Sequence, residues 1–224
     1  MVNGIPILRN TLDRLARSGI EEAVLVVGYL GEMVRREAGD RVGRMRVTYR
    51  TNVNFETTNT TQSLWIGLAG HRQVMQDALI VEGDVFFDQD VLDGLLTSPY
   101  ADATLVEKWH PALSGSVVEL AADGCVRAWV HEKDRPRGFA LDGTYKTVNL
   151  HKFSSGFLRE HLHPALAVHV ERGGTEPLET AMAQIVAGGG RVHAVEAGGR
   201  WCEVDDERDL QTADGMFGAA HAAR

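Results

Sequence analysis

The sequence predicts an α/β fold: an open, mostly parallel mixed sheet flanked by helices, with a small antiparallel subsheet in its second half. Three observations predict it. Two continuous apolar runs, Ala23-Val24-Leu25-Val26-Val27 and Ala78-Leu79-Ile80-Val81, suit strands covered on both faces. Helical and strand patterns alternate through the first eighty residues in the order αβαβαβ. After residue 100, short strands dominate, and Ala122-Asp123-Gly124 marks a hairpin turn between two of them.

The elements follow in order. Pro6 with Leu8, Leu12 and Leu15 predicts a helix with proline in its first turn, stopped at Gly19. The strand at 23–27 closes on Gly28. A helix over 31–37, a strand over 45–49, a polar stretch over 51–61 and a helix over 63–74 lead to the strand at 78–81. That strand runs into Glu82-Gly83-Asp84. Strands are predicted at 103–108, 116–120, 125–130 and 147–153, then helices near 155–168 and 177–186. Strands at 191–195 and 201–204 and a helix from Asp206 complete the pattern. Residues 1–217 read as a single domain, with 1–100 as one half and 101–217 as the other, and 218–224 as a frayed tail.

Composition limits the function. The chain has 224 residues, 23 Lys and Arg against 31 Asp and Glu, and a net charge of −8. That balance argues against a general nucleic-acid binder. Apolar residues are 44% and charged residues 24%, ordinary globular values. No apolar run reaches membrane-spanning length, and the opening residues lack the pattern of a signal peptide. Cys125 and Cys202 stand alone and read as two half-buried thiols, so the expected location is the cytoplasm.

Open α/β sheets bind ligands at the C-terminal ends of their strands. Asp84, Glu203 and Asp205 fall there. Glu203 and Asp205 bracket Val204 and so point the same way, while Asp206 faces away and can cap the last helix. An aspartate at each of two strand ends suits Mg²⁺, which takes one or two carboxylates plus phosphate oxygens and water. The same acids also suit solvated loops. Lys133 and Lys146 border strands and can hold a phosphate or phosphonate as point charges, or sit on the surface. Arg135 and Arg137 fall in a Pro/Gly loop expected to be exposed. Asn59, Gln62 and Ser63 precede or open a helix and can read a base edge; Thr61 is expected to cap that helix. His161, His163 and His169 read as surface or partly packed groups. Trp109 and Trp129 read as core or rim packing.

Six segments in order then resemble the sugar-phosphate nucleotidylyltransferases: VNGIPILRNTLDRLARSGIEEAVLVVGY, TTNTTQSLW, VEGDVFF, HEKDRP, YKTVNLHKFS and WCEVDDERDL. The last, with YKTVNLHKFS, TTNTTQSLW and LSGSVVEL, resembles the branch of cytidylyltransferases acting on phosphocholine and phosphonates. The resemblance implies a Rossmann-like sheet of the nucleotide-diphospho-sugar transferase type. It implies Mg²⁺ on Asp84 and Asp205, and nucleotide contacts from Asn59, Gln62, Ser63, Glu82 and Gly83. It implies acceptor contacts from Lys146, Asn149, Glu179 and Glu203, with Lys146 and Lys133 as the cationic catalytic groups. The reaction implied is CMP transfer from CTP to a small phosphonate or phosphate, such as phosphocholine or 2-aminoethylphosphonate, with a fusion or operon enzyme as possible partner. The alternatives are a sugar-1-phosphate nucleotidylyltransferase and a non-catalytic binding subunit. Two departures bear on that choice. The family's first strand and Leu-Ala-Ala-Gly-x-Gly-x-Arg loop have no counterpart in these residues, and Ile5 stands where the family has lysine. A late start codon, a domain cut from a longer polypeptide and a short binding protein are the three expected accounts.

Overall fold

In the computed structural model, which describes residues 1–68 and 76–218, apolar periodicity becomes layered structure. Helix α1 (Ile7–Arg17) follows Pro6 and ends at Ser18, with Gly19 at φ +80°, a value that suits glycine. It buries Leu12 and Leu15. Strand β1 (Glu22–Val27), helix α2 (Gly31–Ala38), strand β2 (Arg41–Val42) and strand β3 (Met45–Thr51) follow. β1 and β3 pair in parallel from Glu22 opposite Arg46 to Val27 opposite Thr51, and β2 adds on antiparallel.

Helix α3 (Thr60–Leu68) leads toward β4 (Ala78–Val81), followed by β5 (Val85–Phe87), α4 (Gln89–Thr97) and β6 (Ala103–Lys108). Part of the helix expected over 63–74, and most of the expected tail at 218–224, lie outside the described residues. The second half contributes β7 (Val117–Leu120), β8 (Val126–Val130), β9 (Tyr145–Phe153), β10 (His193–Glu196) and β11 (Trp201–Glu203). Its helices are α5 (Ser155–Phe157), a π turn (Leu158–Leu162), α6 (His163–Glu171), α7 (Leu178–Ala187) and α8 (Glu207–Phe217). Asp206 caps α8 as expected, its carboxylate accepting from the amides of Arg208 and Asp209.

The fold is the expected α/β with open mixed sheets. A six-stranded sheet runs β10-β6-β9-β7-β8, with β4 also on β9, and β11 pairs with β5. Its parallel share is smaller than the helix–strand alternation predicts. Only β1 with β3 and β6 with β10 are parallel; the long β9 enters antiparallel between its neighbours and turns the remaining ladders. The β7–β8 hairpin is the expected antiparallel subsheet, turned at Gly124 with φ +78°.

The core lies under this sheet on both faces. One cluster gathers Leu12, Phe87, Leu92, Leu95 and Leu150; a second joins Phe153, Leu162, Leu166, Met182 and Trp129. Each large side chain here contributes roughly 1.5–3 kcal/mol on burial. β5 and α4 were not anticipated. β5 is three residues long, too short for a period, yet its three side chains are buried. α4 starts after Asp88, and its buried Val91, Leu92 and Leu95 are the signal that was present. Among the described residues, no helix is long and apolar enough to cross a membrane.

Candidate active site

Three strands carry the site. β9 brings Lys146 and Asn149, the end of β4 brings Glu82 and Asp84, and the end of β11 brings Glu203 and Asp205. The junctions are tied by backbone bonds: Glu82 N–H donates to the Asn149 carbonyl at 3.2 Å, and Val204 N–H to the Asp84 carbonyl at 2.9 Å. The strand ends named by the sequence therefore meet.

Lys146 is buried. Its ammonium lies 3.0 and 3.1 Å from the two carboxylate oxygens of Glu203 and donates to the Thr147 carbonyl at 2.7 Å. The Trp201 ring flanks it at 5.9 Å. Asn149 donates through Nδ2 to Glu203 and accepts from Thr147 Oγ1 at 3.0 Å. Asn149 holds φ +62°, one of three non-glycine residues with positive φ among the described residues. Glu179, in the first turn of α7, accepts from Ser116 Oγ at 3.0 Å.

Five carboxylates, those of Glu82, Asp84, Glu179, Glu203 and Asp205, thus share a region in which Lys146 is the one cation acting on Glu82, Asp84 and Glu203 among the described residues. Burial pushes the Glu82 carboxyl up to about 8, with Glu179, Asp84 and Glu203 adding to the effect. Burial also raises Asp84; its own backbone bonding opposes this, and Asp205 reinforces it. Glu203 is raised by burial and held back by Lys146. Asp84 Oδ1 is buried with no hydrogen-bond partner. Such an oxygen, beside a second carboxylate that resists its ionisation, is suited to a cation. Among the described residues no group of three or more His, Cys, Asp or Glu is arranged to hold a metal. A cation on Asp84 and Asp205 would therefore complete its shell from substrate oxygens and water.

The remaining expectations divide. Asn59, Gln62 and Ser63 lie at the start of α3. Asn59 Oδ1 accepts from Thr60 N–H at 2.8 Å, Ser63 Oγ accepts from Asn52 Nδ2 at 3.2 Å, and Gln62 packs against Gly174. This end of α3 is bound to the start of α7, since Leu178 N–H donates to Thr60 Oγ1 at 2.7 Å. Gly83 is exposed between Glu82 and Asp84. Thr61 does not cap α3: it sits inside the helix, fully buried, and donates to the Glu176 carbonyl at 2.6 Å. Lys133 is exposed on the 3-10 turn Glu132–Asp134, and its charge is absent from those acting on Glu82, Asp84 and Glu203. His169 is buried, its Nε2 bonded to Gln184 at 3.2 Å, rather than at the surface.

Arg135 corrects the reading of its loop. Its side chain is only 15% exposed and donates to the Gly115 carbonyl. Gly115, at φ +90°, lies against the Lys146 stem, where an added Cβ would stand 3.0 Å from Cε. Arg135 thus fixes the loop that covers Lys146. Sequence reasoning also missed Ser116 and Trp201, whose partners are distant in sequence, and Asn52, which donates to Thr58 and Ser63 across an irregular loop. For Trp201 a signal existed, its place two residues before Glu203.

No protein-family model matches the chain. Over 220 residues, 96% of this chain and 34% of the relative, it is 36% identical to a CMP-5′-(3-aminopropyl)phosphonate synthase of Streptomyces rubellomurinus. Over 222 residues, 96% of this chain and 48% of the relative, it is 24% identical to the bifunctional protein GlmU of Methanococcus maripaludis. The chain therefore spans between a third and a half of these relatives. The solved inositol-1-phosphate CTP transferase from T. maritima superposes with a TM-score of 0.69 at 15% identity, covering 97% of this chain and 85% of that one. The fold is the α/β fold of nucleotidyltransferases. Over nearly its whole length the chain is similar to proteins of the nucleotidyltransferase superfamily, a CMP-phosphonate synthase among them.

Proposed function

We propose that this chain transfers CMP from CTP to a phosphonate or phosphate oxygen of a small acceptor, such as 2-aminoethylphosphonate or phosphocholine, releasing pyrophosphate. The observation that carries the reading is the meeting of Asp84 and Asp205 at adjoining strand ends, with a buried lysine beside them. The name of the Streptomyces relative supports the CMP-phosphonate product class.

An acceptor oxygen attacks the α-phosphorus of CTP; the new phosphorus–oxygen bond forms as the bond to the β-phosphate oxygen breaks, and pyrophosphate leaves. Asp84 and Asp205 would hold Mg²⁺, which supplies charge neutralisation for the phosphate oxygens. Lys146 orients the acceptor anion, itself held in place by Glu203 and Asn149. Glu179 and Glu203 offer oxygens to an acceptor ammonium. Asn59, Gln62 and Ser63 approach the base or ribose. No covalent intermediate is needed, since positioning and charge suffice. A sugar-1-phosphate acceptor is the second reading, favoured by the likeness, at 21% identity, to the mannose-1-phosphate guanyltransferase beta-B of Xenopus laevis.

The test is pyrophosphate release with CTP, UTP, GTP and dTTP against 2-aminoethylphosphonate, phosphocholine, 2-hydroxyethylphosphonate and glucose 1-phosphate, with Mg²⁺ or with EDTA. Turnover restricted to CTP and a phosphonate or phosphocholine, abolished by EDTA, is expected. Turnover with a sugar 1-phosphate alone would move the acceptor assignment. Silence from every pair in a folded protein would overturn catalysis by this chain.

A further inference from the structure

Helix α7 turns one stripe to the core and a neighbouring stripe to a cavity. Leu178, Ala181, Met182 and Ile185 are buried in the cluster that holds Trp129 of β8. Glu179, Ala183 and Ala187 recur every fourth residue and so share another face. With Trp129, and with Asp134 and Phe139 of the loop after β8, they line a cavity of about 460 Å³. The loop is shaped to stand there. In Pro136-Arg137-Gly138-Phe139, Phe139 N–H donates to the Pro136 carbonyl at 3.0 Å, and Gly138 takes the third place at φ +82°, where such a turn needs glycine. Arg135 ties the same loop to the Gly115 carbonyl.

Glu179 belongs to both this cavity and the candidate active site. It accepts from Ser116 Oγ at 3.0 Å, and the Cβ position of the preceding Gly115 stands 3.2 Å from Lys146 Nζ. Its charge also acts on Glu82 and Asp84. The cavity therefore continues from the place where an acceptor anion at Lys146 would end. Among the described residues, no lysine or arginine lines it. Its charged lining is Glu179 and Asp134, with His131 Nδ1 3.8 Å from Asp134 at the rim. Arg135, next in sequence, faces Gly115 and Glu132 instead. Aromatic and alanine walls with a carboxylate at the inner end suit a cation that carries an apolar body. The volume lies in the range of roughly 300–1,000 Å³ that encloses drug-sized ligands. An aminoethyl tail fills a small part of it.

We propose that the cavity receives the tail of the acceptor and selects aminoalkylphosphonates substituted on nitrogen. The ammonium lies at Glu179, a placement that rests on the acceptor reading above, and the substituent runs between Trp129, Phe139 and the two alanines of α7. A primary amine leaves those walls in water. An apolar substituent covers them and keeps the positive charge on nitrogen, so the pairing with Glu179 is retained. A neutral tail of the same shape leaves the Glu179 carboxylate without a cation.

The experiment measures acceptor binding by calorimetry, with and without CMP, and pyrophosphate release with CTP and Mg²⁺. The three acceptors are 2-aminoethylphosphonate, its N-butyl derivative, and heptylphosphonate, in which carbon replaces the nitrogen of that derivative. The N-butyl derivative should bind at least about 10-fold tighter than 2-aminoethylphosphonate and at least about 10-fold tighter than heptylphosphonate. Ala183→Phe fills the cavity from its middle, and Ala187→Phe fills it from an exposed position that leaves the core untouched. Either variant, with its Tm within a few degrees of the parent, should bring the substituted and unsubstituted amines within about 2-fold of each other. Equal affinity for those two amines in the parent, a preference that survives both phenylalanine variants, or no binding by any of the three would overturn the proposal. Turnover of 2-aminoethylphosphonate without selectivity for the tail would overturn the role of the cavity and leave the reaction standing. Tail-selective binding in a protein that releases no pyrophosphate would support the cavity and overturn the reaction.

Discussion

Replacing Lys146 by methionine separates the ion pair this side chain makes from the role in transfer proposed for it. Lys146 is buried and holds both oxygens of Glu203 at 3.0 and 3.1 Å. Removing it leaves the Glu203 carboxylate with Asn149 as its remaining side-chain donor. Breaking a buried ion pair from one side costs about 3–5 kcal/mol. Glu203 retains 22% exposure, so water recovers part of that, and about 2–4 kcal/mol is expected. For a protein of this size that is a fall in Tm of roughly 5–15 °C. The double variant Lys146→Met with Glu203→Gln removes both charges and should recover most of the loss in urea denaturation, since Gln still accepts from Asn149. Pyrophosphate release should stay abolished in both. A single variant within about 0.5 kcal/mol of the parent would refute the energetic argument. A double variant turning over like the parent would refute the catalytic one.

Three further outcomes follow from the same cluster. Asp84→Asn removes a carboxylate whose ionisation burial opposes; Tm should hold or rise while pyrophosphate release falls by about 10²–10³ or more, and EDTA should have the same effect on the parent enzyme. Glu82 has a folded-state value of about 8, above its ordinary 4.5. Its contribution to stability is therefore full below about pH 4.5 and is lost as pH rises through about 8. Glu82→Gln should accordingly raise Tm at pH 9 relative to the parent and leave it nearly unchanged at pH 4. Burial, with help from Lys146, drives His151 down to about 3, so its contribution is present above pH 6.5 and lost as pH falls toward 3. His151→Gln, which keeps a partner for Thr104 Oγ1, should flatten the acid limb of Tm against pH.

Much of the site was legible because its residues sit where chain-local patterns end. Asp84 lies three residues past a four-residue apolar strand, and Glu203 ends β11 with Asp205 in the bend just beyond it, so the local pattern puts them at strand ends, although Asp205 lies off the strand on which it was expected. Lys146 was legible as the residue that opens a strand, and Asn149 through the resemblance of YKTVNLHKFS; the strand itself is buried throughout from Lys146 to His151 and shows no alternation. Arg135, Ser116 and Asn52 were not legible, because their roles consist of contacts that no local period encodes. Arg135 reaches Gly115, twenty residues away, and Ser116 reaches Glu179, sixty-three away. Lys133 illustrates the converse. It belongs to the motif HEKDRP, yet the turn at Glu132–Asp134 leaves it exposed. In the fold, long apolar runs were read correctly, while β5 was too short to show a period and its burial comes from pairing with β11. The parallel share was overestimated because alternation of helix and strand says nothing about a long strand threading between them.

β9 is the common spine of the molecule's chemistry. Its Lys146 and Asn149 hold Glu203, the Asn149 carbonyl anchors Glu82, and its far end carries β4 and so positions Asp84. The β7–β8 hairpin, by contrast, shares only a two-residue ladder with β9, Val117 opposite Lys146 and Val118 opposite Tyr145. A module joined to the rigid member by so short a ladder can be remodelled with little disturbance of it. Sequence drift in the hairpin can therefore re-shape the surroundings of Lys146 while the carboxylates keep their places, so under the proposed reading acceptor preference diverges faster than the transfer chemistry.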